Sequence, residues 1–319
     1  MRGSLKKLMI SMLLCAFMLS SFVTITFAWI SLSRNAFIDD LFLGTNNDPN
    51  LEISLDGINF TQNITSNELL QFTQDVEMID ITSIDGKTFK NIAGNVIEHT
   101  GTMISIPIYV RSRHRSNNMV FLANNNSDAT FDNLGEGTAV TSRGVNWRAD
   151  IGFWNSSDRW VNPGDLLRVY ASNAVRISLV EQNINGFYGA IDIRTEDELS
   201  RRIVDPSEDA ARGFGVMYGA IDFWYRRHGF AITAPPAPDT RFITRFMEFN
   251  QNVALDDGSL ATTLTPTRQF FGDNEFDYWR VGKFIINIWL EGWDADTFDA
   301  IYSDQLRIRL QFRLGRLGN

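Results

Sequence analysis

The sequence predicts a mainly β protein, an antiparallel jelly-roll-like β-sandwich with a helical insertion at about 195–237, preceded by an N-terminal signal or transmembrane helix. Three observations predict it. Apolar and polar residues alternate with period two in several stretches, polar turn-rich segments such as "NNNSD" and "NLGEG" separate them, and a charge-free apolar run follows a basic start.

That run extends from Leu8 to Ser33, with Arg2, Lys6 and Lys7 on its N-terminal side, which orients this end towards the cytoplasm and implies export. It is long enough to span a bilayer as an uncleaved anchor. Thr26 and Ala28, however, are small residues at the −3 and −1 positions of a cut before Trp29, and the β-branched stretch ahead of them favours the extended form that a signal peptidase grips. Residues 1–28 are therefore expected to be a signal peptide, with an anchor as the alternative, and 29–319 to be the β-sandwich.

Strands follow in order. Leu51, Ile53 and Leu55 alternate with polar neighbours, and Ile104, Ile106, Ile108 and Val110 do the same around Pro107. Proline cannot donate to a ladder, so Pro107 places this strand at a sheet edge. Val175, Ile177 and Leu179 form a third pattern, and Phe284, Ile286, Ile288 and Leu290 a fourth. The clearest is "QLRIRLQFRL", with Leu306, Ile308, Leu310, Phe312 and Leu314 on one side and Arg307, Arg309, Gln311 and Arg313 on the other. One-faced alternation argues against a doubly wound parallel sheet, whose strands are apolar throughout.

Helices are few. Thr65 with Glu68, and Thr195 with Glu198, have the spacing of capping boxes. Further on, Met217, Ala220, Ile221, Trp224 and Tyr225 fall at three- and four-residue spacing, which predicts a helix before "APPAP" ends the insertion in extended form. No internal repeat is read.

The formal charge is −9, and −12 without the basic residues of the first 28, which disfavours nucleic acid as a partner and confines membrane contact to the N-terminal segment. The only cysteine, Cys15, lies inside the apolar run, so a processed chain has no disulfide framework. Leu14 precedes it where a lipobox needs a small residue. A large exported chain without disulfides points to a Gram-positive type of surface.

No motif indicates an enzyme. His99, His114 and His228 are far apart and read as exposed or edge histidines, and no nucleophile elbow or phosphate loop is present. Two clusters could bind a ligand. Glu291, Asp294, Asp296 and Asp299 follow a strand and could converge on Ca²⁺, or cap their own turn. Trp147, Trp154 and Trp160 could stack on sugar rings, with Asn155 and Asp158 supplying hydrogen bonds, or fill the core between two sheets.

The run ending "TFAW" (26–29) and the entry "LEISLDG" (51–57) resemble the TasA and camelysin type of exported Firmicutes surface proteins. "NAVRISL" (173–179) and "IWLEGWDAD" (288–296) are similar to strand and strand-to-loop signatures in a broad set of surface proteins. The resemblance implies a jelly roll cut by a dedicated signal peptidase and assembled into cell-surface or biofilm-matrix fibres, in which the mature N-terminal strand inserts into the next subunit. Camelysin has been described as a metalloprotease. This chain has no zinc-protease motif, so that activity is not carried over.

The expectation is an exported structural protein of the cell surface or matrix. A carbohydrate-binding adhesin and a calcium-dependent binding module are the alternatives. The strand offered for subunit exchange would use Trp29, Ile30, Leu32, Phe37, Ile38, Leu41 and Leu43, which otherwise pair within their own sheet.

Overall fold

Two long strands that follow one another near the end of the chain, Tyr278–Glu291 and Gln305–Leu317, each organise one sheet. The computed structural model describes residues 37–45, 48–91, 93–98, 101–123, 126–229, 237–246, 249–270 and 278–318. The chain divides into Met1–Asn35 and Ala36–Asn319, and the fold described is that of the second unit. Thr26, Ala28, Trp29, Ile30 and Leu32 lie outside the described residues.

Tyr278–Glu291 pairs antiparallel with Val175–Gln182 and Thr265–Phe270 on one side, and with Ile104–Ser112 on the other. Its last two residues also pair in parallel with Asp80–Ser83. Gln305–Leu317 pairs in parallel with Phe37–Gly44, and antiparallel with Ala139–Ser142 and Met119–Leu122. Both sheets are therefore mixed, not antiparallel as expected. Alternation fixes which face a side chain takes, but it carries no information about the direction of the neighbouring strand.

The inner faces match the expected pattern. Phe284, Ile286, Ile288 and Leu290 of one strand, and Leu306, Ile308, Leu310, Phe312 and Leu314 of the other, are buried in one apolar cluster. The rings of Phe284 and Phe312 meet at 5.2 Å across it. Two sheets packed face to face in this way make a mainly β, sandwich-like unit.

Pro107 lies in a strand with neighbours on both sides, but its position is locally an edge. Leu51–Ser54 covers that strand only from Tyr109 to Ser112, so no ladder partner there needs a proline N–H.

The outer face of the first sheet departs from expectation, because Val175–Val180 is buried on both faces. Ile81, Phe89, Met103, Ile203 and Trp289 form a second apolar cluster over it, with Phe89 edge-on to Trp289 at 5.2 Å. The cover includes a turn whose sequence occurs twice: "SLDGINF" at 54–60 and "SIDGKTF" at 83–89. In each copy the serine hydroxyl accepts the glycine N–H, and the aspartate accepts the next two N–H groups. This short repeat corrects the reading of none.

The first copy packs on the Tyr109 and Phe187 rings, and the second is pressed onto the strand Val175–Gln182. Gly86 has φ +69°, and a Cβ there would stand 2.8 Å from the Ser178 Cβ. Its carbonyl accepts from Ser178 Oγ at 2.7 Å and Asn287 Nδ2 at 3.1 Å.

Helix Ser66–Thr73 forms as expected, with the Glu68 carboxylate accepting from the Thr65 N–H at 2.8 Å. The expected insertion contains less helix. Thr195 and Glu198 close only a 3₁₀ turn, Glu196–Glu198, after which Arg201–Val204 adds to the first sheet as a strand. Helix Ala220–His228 buries Ile221 and packs Ala220 and Phe223 against the core, whereas Met217 and Tyr225 are exposed.

Candidate functional site

The long strand Tyr278–Glu291 runs directly into the acidic loop. The apolar sheet carries Glu291 and Asp294 almost wholly out of water, where a carboxylate needs a compensating partner. For Asp294 that partner is Arg176, on the neighbouring strand. Arg176 is itself buried and also binds Asp205 at 2.9 Å, while another of its N–H groups donates to the Val175 carbonyl at 2.9 Å. Glu291 accepts from Trp289 Nε1 at 3.1 Å and the Trp293 N–H at 3.2 Å. Asp296 pairs with Arg212 at 2.7 Å, and Asp299 is exposed.

Glu291, Asp294 and Asp296 thus turn to separate partners, and Asp299 faces solvent. No group of three or more His, Cys, Asp or Glu side chains among the described residues is arranged to hold a metal ion.

Burial sets the protonation of this region. It pushes Glu291 up to about 7, against the attraction of Arg176 and the bond from Trp289. It likewise pushes Asp294 up to about 6, outweighing Arg176, and Asp80 to about 6, where the Tyr302 hydroxyl opposes it. A cavity of about 140 Å³ reaches this group, with Arg176, Asp205 and Glu291 at its polar end and Ile203, Phe214 and Trp289 along its wall.

A pH dependence follows from these shifts. The folded chain retains protons that the unfolded chain releases near its ordinary carboxylate values, so stability is greatest below about pH 4 for these groups and falls as pH rises to about 7. Carboxylates held low, such as Asp192 by Arg194, act in the opposite sense at more acid pH. Between about pH 5 and 8 the melting temperature is expected to fall, and Glu291→Gln should flatten the decline. A flat or rising wild-type profile over that range would contradict this protonation.

The three tryptophans separate. Trp147 is half-buried among Phe153, Phe223 and Phe298, with ring centroids 4.9–5.9 Å from its own. Trp154 and Trp160 pair across the hairpin formed by Phe153–Trp154 and Trp160–Val161, are 39% and 40% exposed, and meet edge-on at 5.3 Å. The Arg226 guanidinium lies 4.9 Å from the Trp160 ring. Asn155 accepts from Arg212 through its carbonyl, and Asp158 is held by Ser156 at 2.7 Å.

Of the histidines, His114 Nδ1 accepts from the Asn117 N–H at 3.0 Å and the His228 ring lies tilted against Trp224, with centroids 4.4 Å apart. His99 lies outside the described residues.

The candidate exchange strand, Phe37–Gly44, has its place in this chain's own second sheet, in register from Phe37 opposite Gln305 to Gly44 opposite Gln311. Leu41 and Leu43 are buried and Ile38 packs against the core. Ile38 and Leu41 are three apart, which a regular strand would send to opposite faces. A bulge between Ile38 and Asp40 resets the alternation. The Ser66 hydroxyl, at the start of the first helix, donates to the Leu41 carbonyl at 2.9 Å.

The sequence reading missed Arg176, Asp205 and Arg212. The available signal was an arginine inside an apolar strand, "VRISLV", which alternation alone assigns to solvent. No helix among the described residues is long and apolar enough to cross a membrane. No family model matches the chain, and no curated protein or solved structure matches it either.

Proposed function

We propose that this chain is an exported structural protein of a Gram-positive type of cell surface or matrix, non-enzymatic, with a jelly-roll-like sandwich that polymerises by lending its first strand to a neighbour. The observation that carries this role is the strand Phe37–Gly44. It directly follows the N-terminal segment, lies parallel to the last strand, and fills core positions with Leu41 and Leu43. A neighbour's copy of the strand could make the same ladder and fill the same positions. Such a contact is head-to-tail, so it need not close and would propagate as a fibre. The charge-free run Leu8–Ser33 behind basic residues supports export.

The test is N-terminal sequencing and electron microscopy of the natively secreted protein. The expected result is a chain that begins at Trp29 and forms filaments, with replacement of Ala28 by a bulky residue leaving it membrane-bound. Full-length protein as the sole form on wild-type membranes, without filaments, would reject the proposal.

A second role, glycan binding, is favoured by the exposed edge-on pair Trp154 and Trp160, which offers an aromatic surface. Saturable glycan binding by the monomer, lost in Trp160→Ala, would distinguish it from a purely structural role.

A further inference from the structure

A second cavity, of about 340 Å³, opens beside the same hairpin and is lined by Arg159, Arg168 and Arg212, with Asn155, Asn173 and Tyr170 around them. Neither Trp154 nor Trp160 lines it. We propose that this cavity binds an acidic sugar, a carboxylate carried on a hydroxylated ring of the uronate type.

Charge is the first argument. In a chain of net −9, three guanidinium groups meet here with one carboxylate, Asp296, which already pairs with Arg212 at 2.7 Å. The unmatched charge is positive, so an anion is the complementary occupant.

Availability is the second. Among the described residues the exposed Arg159 side chain makes no hydrogen bond, ion pair or ring contact. Arg168 uses one N–H group on the Arg143 carbonyl at 2.6 Å and lies 5.8 Å from the Tyr170 ring, leaving donors of its fork free. Arg212 is held on Asp296 and on the Asn155 and Ala295 carbonyls, so the open forks of the cavity are those of Arg159 and Arg168. Planar forks of this kind match a carboxylate with two parallel hydrogen bonds.

The rest of the lining selects the ring. The amides of Asn155 and Asn173 and the Tyr170 hydroxyl can each exchange hydrogen bonds with sugar hydroxyls, and the exposed Leu166 offers an apolar wall for ring C–H groups. The volume lies at the lower end of the roughly 300–1,000 Å³ usual for small-molecule sites, which suits the end of an oligosaccharide.

Calorimetric titration of the secreted protein with a galacturonate oligomer tests the proposal, with a glucose oligomer of equal length and sodium acetate as comparisons. Saturable binding of the galacturonate oligomer is expected, weakened by salt, with none of the glucose oligomer. Arg159→Gln and Arg168→Gln should each weaken it about tenfold without changing the melting temperature, whereas Trp154→Ala should leave it intact. No galacturonate binding, equal binding of the neutral oligomer, or unchanged affinity in both arginine variants would overturn the proposal. Acetate binding as tightly as the oligomer would reduce the cavity to a simple anion site and overturn the sugar assignment. None of these outcomes depends on filament formation.

Discussion

Replacing Arg176 with methionine is expected to destabilise the folded chain by about 3–5 kcal/mol at neutral pH, the usual cost of removing one partner from a buried ion pair. Methionine keeps the packing of the apolar stem and removes the guanidinium. What remains is Asp294, buried at 1% exposure, and Asp205, both without their cation. The loss should shrink in acid, because Asp294 holds its proton up to about 6 and is then buried without charge. Asp294→Asn in the Arg176→Met background should restore part of the stability, since an amide can stay buried without charge. Denaturant unfolding at about pH 5 and 8 measures all three effects. A loss below about 1 kcal/mol at both values would mean that water or another cation compensates these acids, and that Arg176 does not.

The second large effect concerns the first strand. A chain that begins at Asn46 lacks the full ladder with Gln305–Gln311 and exposes the core positions of Leu41 and Leu43. Burying two such side chains contributes roughly 3–6 kcal/mol, a large part of the stability of an ordinary domain. The shortened protein should therefore melt early, form no filaments, and recover its stability when a peptide of residues 29–44 is added. Under strand exchange, the same peptide in excess should shorten the filaments of the complete secreted protein by occupying the acceptor site. If the complete protein stays monomeric at all concentrations and the peptide acts only as a one-to-one repair, the strand serves its own domain alone.

These two sites differ in how far the sequence exposed them. The strand patterns around Phe284–Leu290 and Leu306–Leu314 were legible because one-sided burial writes period two directly into the chain. Helix Ser66–Thr73 was legible through its capping pair, but the same pair at Thr195 and Glu198 closed only a single turn, because a strand of the first sheet begins at Arg201. Sheet mixing was hidden, since the parallel neighbours of Gln305–Leu317 come from distant parts of the chain.

The acidic loop was visible as a cluster, whereas its chemistry was not. Asp294 and Arg176 are 118 positions apart, and no local pattern links them. Arg176 occupies an alternation position that faces water in a one-layer sheet. The turn at 83–89 and the cluster around Trp289 turn that outer face into a second interior. Trp147 and the Trp154–Trp160 pair could not be told apart by composition, because the hairpin register decides which ring is covered.

The order in which the two long strands occur has a consequence for biogenesis. Both sheets take their central strand from residues 278–317, so every polypeptide that stops before Tyr278 lacks the element onto which the earlier strands assemble. The strand Phe37–Gly44 waits longest among the described strands, because its partner residues 305–311 are the most remote from it in sequence. Contacts this remote in sequence form slowly, and a nascent chain without them stays extended and open to other binders. Under the export proposed above, that delay would keep the polypeptide threadable through a translocation channel until residues 278–317 have been made, and would place folding on the far side of the membrane.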